Sequence, residues 1–364
     1  MKILSIVGVR PNFVKVAPLH RAFLAYPSIE SKIIHTGQHH DAVMSDVFFD
    51  QFDLPQPDHY LNIQSGSATR QTADILEKFE PVLQREQPDW VVVVGDVTST
   101  LACALAASQH GVRVAHVEAG LRSGDRQMPE ERNRIVTDAL ADLLFAPDQT
   151  SCDNLRREGV AADKIRLVGN VMIDSLVQYR AKASALNTVE ALGLTAKEYV
   201  LLTMHRPFNV DTEAGLSRLL QVVKNMAALR PVVFPVHPRT RANLIQFGLF
   251  GALATRLNVH LLEPLGYLEF INLMENAALV ITDSGGVQEE TTYLRVPCLT
   301  FRPSTERPIT IDCGTNQLVA DLSPDTAGQM AAEILAGRTN TGKTPPLWDG
   351  KTAERIAHII SQFP

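Results

Sequence analysis

Short apolar, β-branched runs alternate along this chain with polar stretches of helical length. In the first half they fall at residues 3–7, 32–35, 90–95, 113–117, 143–146 and 165–168, and in the second at 199–203, 232–236, 259–262, 279–282, 298–301 and 317–319. The run Val91-Val92-Val93-Val94 has no polar face, which suits a parallel strand covered by helices on both sides. Strands of this kind alternating with helices predict an α/β fold of the doubly wound type. Because the second half repeats the pattern of the first, two similar Rossmann-like domains follow.

The polar, Ala-rich stretch over residues 179–192 carries no strand signal, so the seam is expected between residues 170 and 197. The expected division is an N-terminal domain over 1–170, a C-terminal domain over 171–348 and a terminal helix over 349–364. That helix places Ile356, Ile359, Ile360 and Phe363 on one face, which requires a partner surface, expected on the N-terminal domain. With no repeat, low-complexity tract or heptad run, the cleft between two domains is the default binding site.

Composition narrows the classes. The 364 residues are 45% hydrophobic and 20% charged, an ordinary globular balance that excludes a largely disordered or fibrous chain. With 34 Lys and Arg against 40 Asp and Glu, the net charge of −6 gives no general attraction to nucleic acid or an anionic membrane. The opening apolar run meets Arg10-Pro11 too soon for a secretory segment, and no uncharged run approaches the roughly 18 residues of a membrane span. A cytoplasmic protein is expected. Four scattered cysteines without CxxC read as reduced, mostly buried thiols. The pair His39-His40 lacks a carboxylate or cysteine to complete a metal site, so neither metal nor cofactor is expected.

Ligands of open α/β sheets gather at the carboxyl ends of strands, and several strand exits carry unusual chemistry. After the first run come Gly8, Arg10 and Lys15, a tight exit with two cations able to clamp a phosphate; a solvated arginine and a helix-surface lysine are the alternative. Asp96 follows the run at 90–95 and Glu118 the run at 113–117, which puts two carboxylates side by side if those strands pair. Glu130 and Glu131 open an expected helix, where its dipole favours acids on structural grounds alone. His205 stands at the exit of 199–203. The most specific local signal is Asp283-Ser284-Gly285-Gly286 followed by helix, a turn whose bare amides and hydroxyl form an anion cradle. Glu290 lies about one turn inside that helix, placed to accept from vicinal sugar hydroxyls, and Arg307 offers a further cation. No GxxxxGK[ST] or GxGxxG is present, which argues against P-loop hydrolysis and a nicotinamide site at the first strand.

The ordered set GVRPNFVK, HTGQHHD, GDVTST, HVEAGLRSGDRQMPEERNR, HRPFNVD, VHPRT, TDSGGVQEE and STERP resembles the bacterial non-hydrolysing UDP-N-acetylglucosamine 2-epimerases from residue 3 to about 310. The resemblance implies two Rossmann-like domains of GT-B type with the active site in the interdomain cleft, commonly in a homodimer. It implies Asp96, Glu118, Glu130 and His205 as catalytic residues. It places the diphosphate against Arg10, His205 and the Ser284-Gly285-Gly286 turn, the ribose on Glu290 and the uracil beside Phe270. Lys15 and Arg134 match further active-site positions, and Gln38 and His39 lie in a substrate or effector motif. The implied reaction removes the C2 proton as UDP leaves, gives 2-acetamidoglucal, and returns both with inversion at C2. A protonated His205 would add positive charge near the departing UDP.

Two positions depart from the related sequences, which often carry Glu where this chain has Asn12 and Phe208. Both replacements remove negative charge and bear on the sugar accepted. The HTGQHHDAVMSDVFF stretch is closer to a branch that includes epimerases of UDP-2,3-diacetamido-glucuronate. Rival readings are a hydrolysing epimerase, a glycosyltransferase and a catalytically silent UDP-sugar sensor. Some relatives take a second UDP-GlcNAc as activator, for which Gln38, Arg70 and His237 are the matched contacts.

Overall fold

A computed structural model describes residues 1–37, 51–64, 66–338 and 342–363. Among them the chain forms thirteen strands in two wholly parallel sheets. The first holds β1 (Lys2–Val7), β2 (Glu30–His35), β3 (His59–Tyr60), β4 (Trp90–Val94), β5 (Arg113–Val117), β6 (Leu143–Ala146) and β7 (Ile165–Leu167), ordered β3-β2-β1-β4-β5-β6-β7. The second holds β8 (Val200–Thr203), β9 (Val232–Pro235), β10 (Val259–Leu262), β11 (Leu279–Thr282), β12 (Cys298–Thr300) and β13 (Asn316–Leu318), ordered β10-β9-β8-β11-β12-β13. Every apolar run read from the sequence is a strand. The one strand without such a run, β3, is an edge pairing of two residues, His59 with Ile34 and Tyr60 with His35, set by the neighbouring strand rather than by its own side chains.

Parallel pairing forces a crossover after each strand, and the chain supplies helices with clear starts. Ser67, Asp148, Thr212 and Ser323 each accept a first-turn backbone N–H, at 3.2, 2.8, 3.1 and 3.3 Å, which satisfies donors that a helix leaves orphaned. Helices on both faces account for the fully buried β4.

The chain divides into two compact units, residues 1–178 with 346–364, and residues 179–345. The division falls inside the helix Val171–Ser184, within the stretch from 170 to 197 where the seam is expected and eight residues past the nominal domain boundary at 170. In the first unit, Leu4, Val91, Val93, Phe79 and Leu144 centre the core; in the second, Val200, Leu202, Phe234, Ile281 and Leu299. The terminal helix Thr352–Ser361 packs against Arg10–Leu24. Buried Asp174 caps it, accepting from Thr352 N at 3.1 Å and Ala353 N at 2.6 Å, and Phe363 meets Trp90 edge-on at 5.7 Å. Cys103, Cys152 and Cys298 are buried and Cys313 half-buried, all as free thiols. No described helix is long and apolar enough to cross a membrane.

Candidate active site in two halves

Each sheet has one point where the strand order reverses, between β1 and β4 in the first unit and between β8 and β11 in the second. The crevice outside the strand ends at such a point is where doubly wound folds bind ligands. Both clusters of sequence-marked residues sit there.

In the first unit Asn12 shapes the exit of β1. Its Oδ1 accepts from Gly8 N and Val9 N, both at 3.0 Å, and its Nδ2 donates to Val94 O at 3.3 Å. A carboxylate could not make the last bond, so this departure stitches β1 to β4 with a neutral amide. Gly8 is required beside it, since a Cβ there would lie 2.7 Å from Ser99 Cβ.

β4 and β5 pair in parallel, which puts Asp96 and Glu118 at neighbouring strand exits. Glu118 is buried and ion-paired through Oε2 to the buried Lys15, while its Oε1 has no hydrogen-bond partner. Its backbone is left-handed, φ 70°, a strained setting for a side chain that surrounding contacts must impose. Here Glu118 N and Ala119 N both donate to Phe145 O at 3.1 Å. Gly95, itself at φ 69°, leaves the pair its room: a Cβ there would sit 3.2 Å from Lys15 Nζ and 3.4 Å from Glu118 Oε2. Asp96 keeps a quarter of its side chain exposed and accepts from Arg134 Nη2 at 2.6 Å.

The helix Pro129–Leu140 backs this arrangement. Half-buried Glu130 stands in its first turn. The buried neighbour Glu131, which sequence reading left to the helix dipole, accepts from Arg134 Nη1 at 2.7 Å, Ser123 N at 2.9 Å and Gly124 N at 3.0 Å. Asn133 Nδ2 donates to Asp96 O at 2.8 Å. Two further residues outside the sequence reading are His116 and Asp138, both buried and joined at 2.6 Å. The signal that marks Asp138 is spacing: Glu130, Arg134 and Asp138 recur every fourth residue on one helical face.

In the second unit the buried carboxylate of Asp283 organises the turn after β8. It accepts from His205 N at 3.0 and 3.1 Å, Arg206 N at 2.9 Å and Asn209 Nδ2 at 2.9 Å. His205 Nδ1 lies 3.4 Å from Asp283 Oδ1, and its ring stacks on His237 with centroids 5.2 Å apart and planes at 29°. Burial lowers the basicity of His205, the Asp283 charge opposes this, and Arg206, Arg239 and Arg302 reinforce it; the net direction is down. The ring is therefore a weaker base than a free imidazole, so burial disfavours the charge that the sequence reading made conditional on protonation. His237 caps the helix Pro238–Gln246, its Nδ1 accepting from Arg239 N at 3.2 Å.

Ser284 and Gly285 open the helix Gly285–Leu294, and Ser284 makes no side-chain cap bond. Its hydroxyl thus stands beside the first-turn amides, Gly286 included, at a helix N-terminus of the kind that attracts anions. Arg307 packs beneath it rather than facing outward: the guanidinium is buried, holds Glu289 at 2.7 Å and Glu306, and would lie 2.8 Å at Cζ from a Cβ on Gly285. Its charge is committed to those two acids. Glu290 is buried beside the Tyr267 hydroxyl; burial pushes its carboxyl up to about 8, against the pull of that hydroxyl and with the push of Glu289. A carboxyl held there favours the protonated form at neutral pH in the free protein. Phe270 is half-buried on the helix Tyr267–Glu275, one turn after Tyr267. Gln38 and His39 lie outside the described residues, as does the side chain of Arg10. Arg70 pairs with Asp74 at 2.9 Å on an exposed helix face.

Comparison with known proteins places the chain among relatives of one family and fold. The family model described as UDP-N-acetylglucosamine 2-epimerase matches residues 21–361. The UDP-N-acetylglucosamine 2-epimerase of Methanocaldococcus jannaschii is 42% identical over 366 aligned positions, spanning 99% of each chain. The UDP-2,3-diacetamido-2,3-dideoxy-D-glucuronate 2-epimerase of Pseudomonas aeruginosa is 41% identical over 372, spanning all of both. The crystal structure of the M. jannaschii UDP-GlcNAc 2-epimerase in complex with UDP-GlcNAc and UDP superposes with a TM-score of 0.93 at 41% identity, again over the whole of both chains.

Proposed function

This chain belongs to the UDP-N-acetylglucosamine 2-epimerase family, and from that premise we propose that it interconverts UDP-GlcNAc and UDP-ManNAc without net hydrolysis. The observation that carries this reading is Glu118: a buried carboxylate in a strained backbone, one oxygen held by Lys15 and the other unpartnered. An acid so fixed is suited to take a weakly acidic proton from carbon.

In this reading the second unit takes the nucleotide and the first the sugar. The amides of the Ser284 turn bind the diphosphate, with Arg10 added by the family pattern, neutral His205 donating a hydrogen bond, Glu290 accepting from the ribose and Phe270 flanking the uracil. One of the acids Asp96, Glu118 and Glu130 removes the C2 proton. The C–H electron pair becomes the C1–C2 double bond of 2-acetamidoglucal, and the C1–O pair leaves on the β-phosphate oxygen of UDP. Helix-terminal amides stabilise that developing charge. Return of UDP to C1 and of a proton to the opposite face of C2 completes the inversion, which requires a second acid. Retention of both intermediates until that step is what separates epimerisation from hydrolysis.

The test is proton NMR of UDP-GlcNAc with the protein in D2O. C2-deuterated UDP-ManNAc with little free UDP supports the proposal; ManNAc with UDP in equal amounts identifies a hydrolysing enzyme. Near-equal identity to the P. aeruginosa relative, together with Asn12 and Phe208, favours UDP-2,3-diacetamido-glucuronate as the second substrate to try. A homodimer, and activation by a second UDP-GlcNAc through His237 stacked on His205, complete the reading. Light scattering and the shape of the rate curve against UDP-GlcNAc test them.

A further inference from the structure

We propose that His116 is a buried imidazolium, clamped between Asp138 and the Gly95 carbonyl, and that this dyad is the positioning device for Asp96 and Glu118. The second half of the inference rests on the functional reading above; the first stands on hydrogen-bond geometry alone.

His116 lies in β5 with no exposed surface. Its Nε2 is 2.8 Å from Gly95 O. A carbonyl oxygen only accepts, so this nitrogen carries a hydrogen. Its Nδ1 is 2.6 Å from Asp138 Oδ1, and the other oxygen of that carboxylate accepts from Arg122 Nη2 at 2.7 Å and Gly120 N at 3.1 Å. With a guanidinium and a backbone N–H both donating to that oxygen, the carboxyl is held in its ionised form. An ionised carboxylate only accepts, so Nδ1 carries a hydrogen too. An imidazole ring that donates from both nitrogens is a cation.

The carbonyl so gripped belongs to the residue that makes room for the Lys15–Glu118 pair, and the peptide it starts leads directly into Asp96. Asp96 is pinned at its own carbonyl by Asn133 and at its carboxylate by Arg134. Every anchor of the Gly95-Asp96 segment named here therefore comes from β5 or the helix Pro129–Leu140. The charged groups tied into this packing are Asp138, Arg134 and Glu131 of that helix, Arg122 after β5 with its further partner Glu158, Lys15 of the first helix, and Glu118 with Asp96 at the strand ends. A neutral His116 would turn a lone pair toward either Asp138 or Gly95 O, and the peptide would rotate away. Misplacing a reacting group by about 1 Å costs on the order of 100-fold in rate.

Nitrogen-15 NMR of the uniformly labelled protein at pH 8 tests the charge, with His116→Gln assigning the signal. Two protonated ring nitrogens at His116 are expected; a single protonated nitrogen overturns the proposal. Asp138→Asn and the double variant His116→Gln/Asp138→Asn, which buries no charge, test the positioning. Each is expected to lower kcat for C2 exchange by about 10- to 100-fold, the usual range for a supporting partner, with KM within about twofold. Unchanged kcat in a folded variant overturns the positioning role. A wild-type protein inert toward both UDP-sugars overturns the functional reading and that role with it, while the spectrum still decides the charge.

Discussion

Arg134 donates to Asp96 across a strand-to-helix gap, Nη2 to Oδ2 at 2.6 Å, and with its other terminal nitrogen it holds Glu131 of its own helix. A planar fork can serve two acids at fixed angles; an ammonium cannot. Arg134→Lys is therefore expected to lower the C2 exchange rate by about 10- to 100-fold while binding of UDP alone stays within about twofold, because UDP is assigned to the other unit. Isotope-exchange NMR and calorimetric titration with UDP measure the two quantities separately.

Glu290 is expected to couple nucleotide binding to proton release. Its carboxyl stands at about 8 in the free protein, chiefly through burial, and two ribose hydroxyls would donate more strongly to the ionised form, which accepts at both oxygens. Bound ligand then pulls the value down, so UDP affinity rises as pH climbs from 6 toward 8 and each binding event releases a proton over that window. Calorimetry in two buffers of different ionisation enthalpy reads the proton count. In Glu290→Gln the buffer dependence over that window should vanish.

Gly285 has no room for a methyl group. A Cβ would lie 2.8 Å from Arg307 Cζ and 3.1 Å from Glu306 Oε1, and Arg307 is buried and tied to Glu289. Gly285→Ala is expected to lower stability by about 1–3 kcal/mol, as overpacked sites do, and to weaken UDP binding at least tenfold by displacing the helix-terminal amides. Thermal denaturation and UDP titration check the two effects.

Far from the strand exits, Glu86 gathers Lys32 at 2.6 Å, His59 at 2.8 Å and Lys2 at 3.1 Å. The hydrogen bond from Lys32 leads the interactions that hold its carboxyl down at about 2. A depressed carboxyl contributes stability above its unfolded value, and that contribution is lost as pH falls through the folded one. Glu86→Gln should thus be less stable than the parent at pH 7, and the gap should close between about pH 4.5 and pH 2. Urea unfolding across that range measures it.

The twelve apolar runs, the two-sheet repeat and the strand-exit positions of Asp96, Glu118 and His205 were legible in the sequence because they depend on side-chain period and on short-range turn chemistry. A buried parallel strand needs apolar residues on both faces, and Val91-Val92-Val93-Val94 can be little else. Likewise, Ser284-Gly285-Gly286 before a helix declares its open amides locally. The pairing of β3, the unit division inside Val171–Ser184 and the protonation of His205 and Glu290 were decided only in three dimensions. So were the commitment of Arg307 to Glu289 and Glu306 and the roles of Glu131, His116, Asp138 and Asp283. Each depends on which partners folding brings together, some as distant in sequence as Asp138 and His116 or Asp283 and His205, or on how much water burial removes. Local pattern specifies which backbone forms; the charge a group carries and the partner it holds are fixed by desolvation and distance, which exist only once the chain is folded.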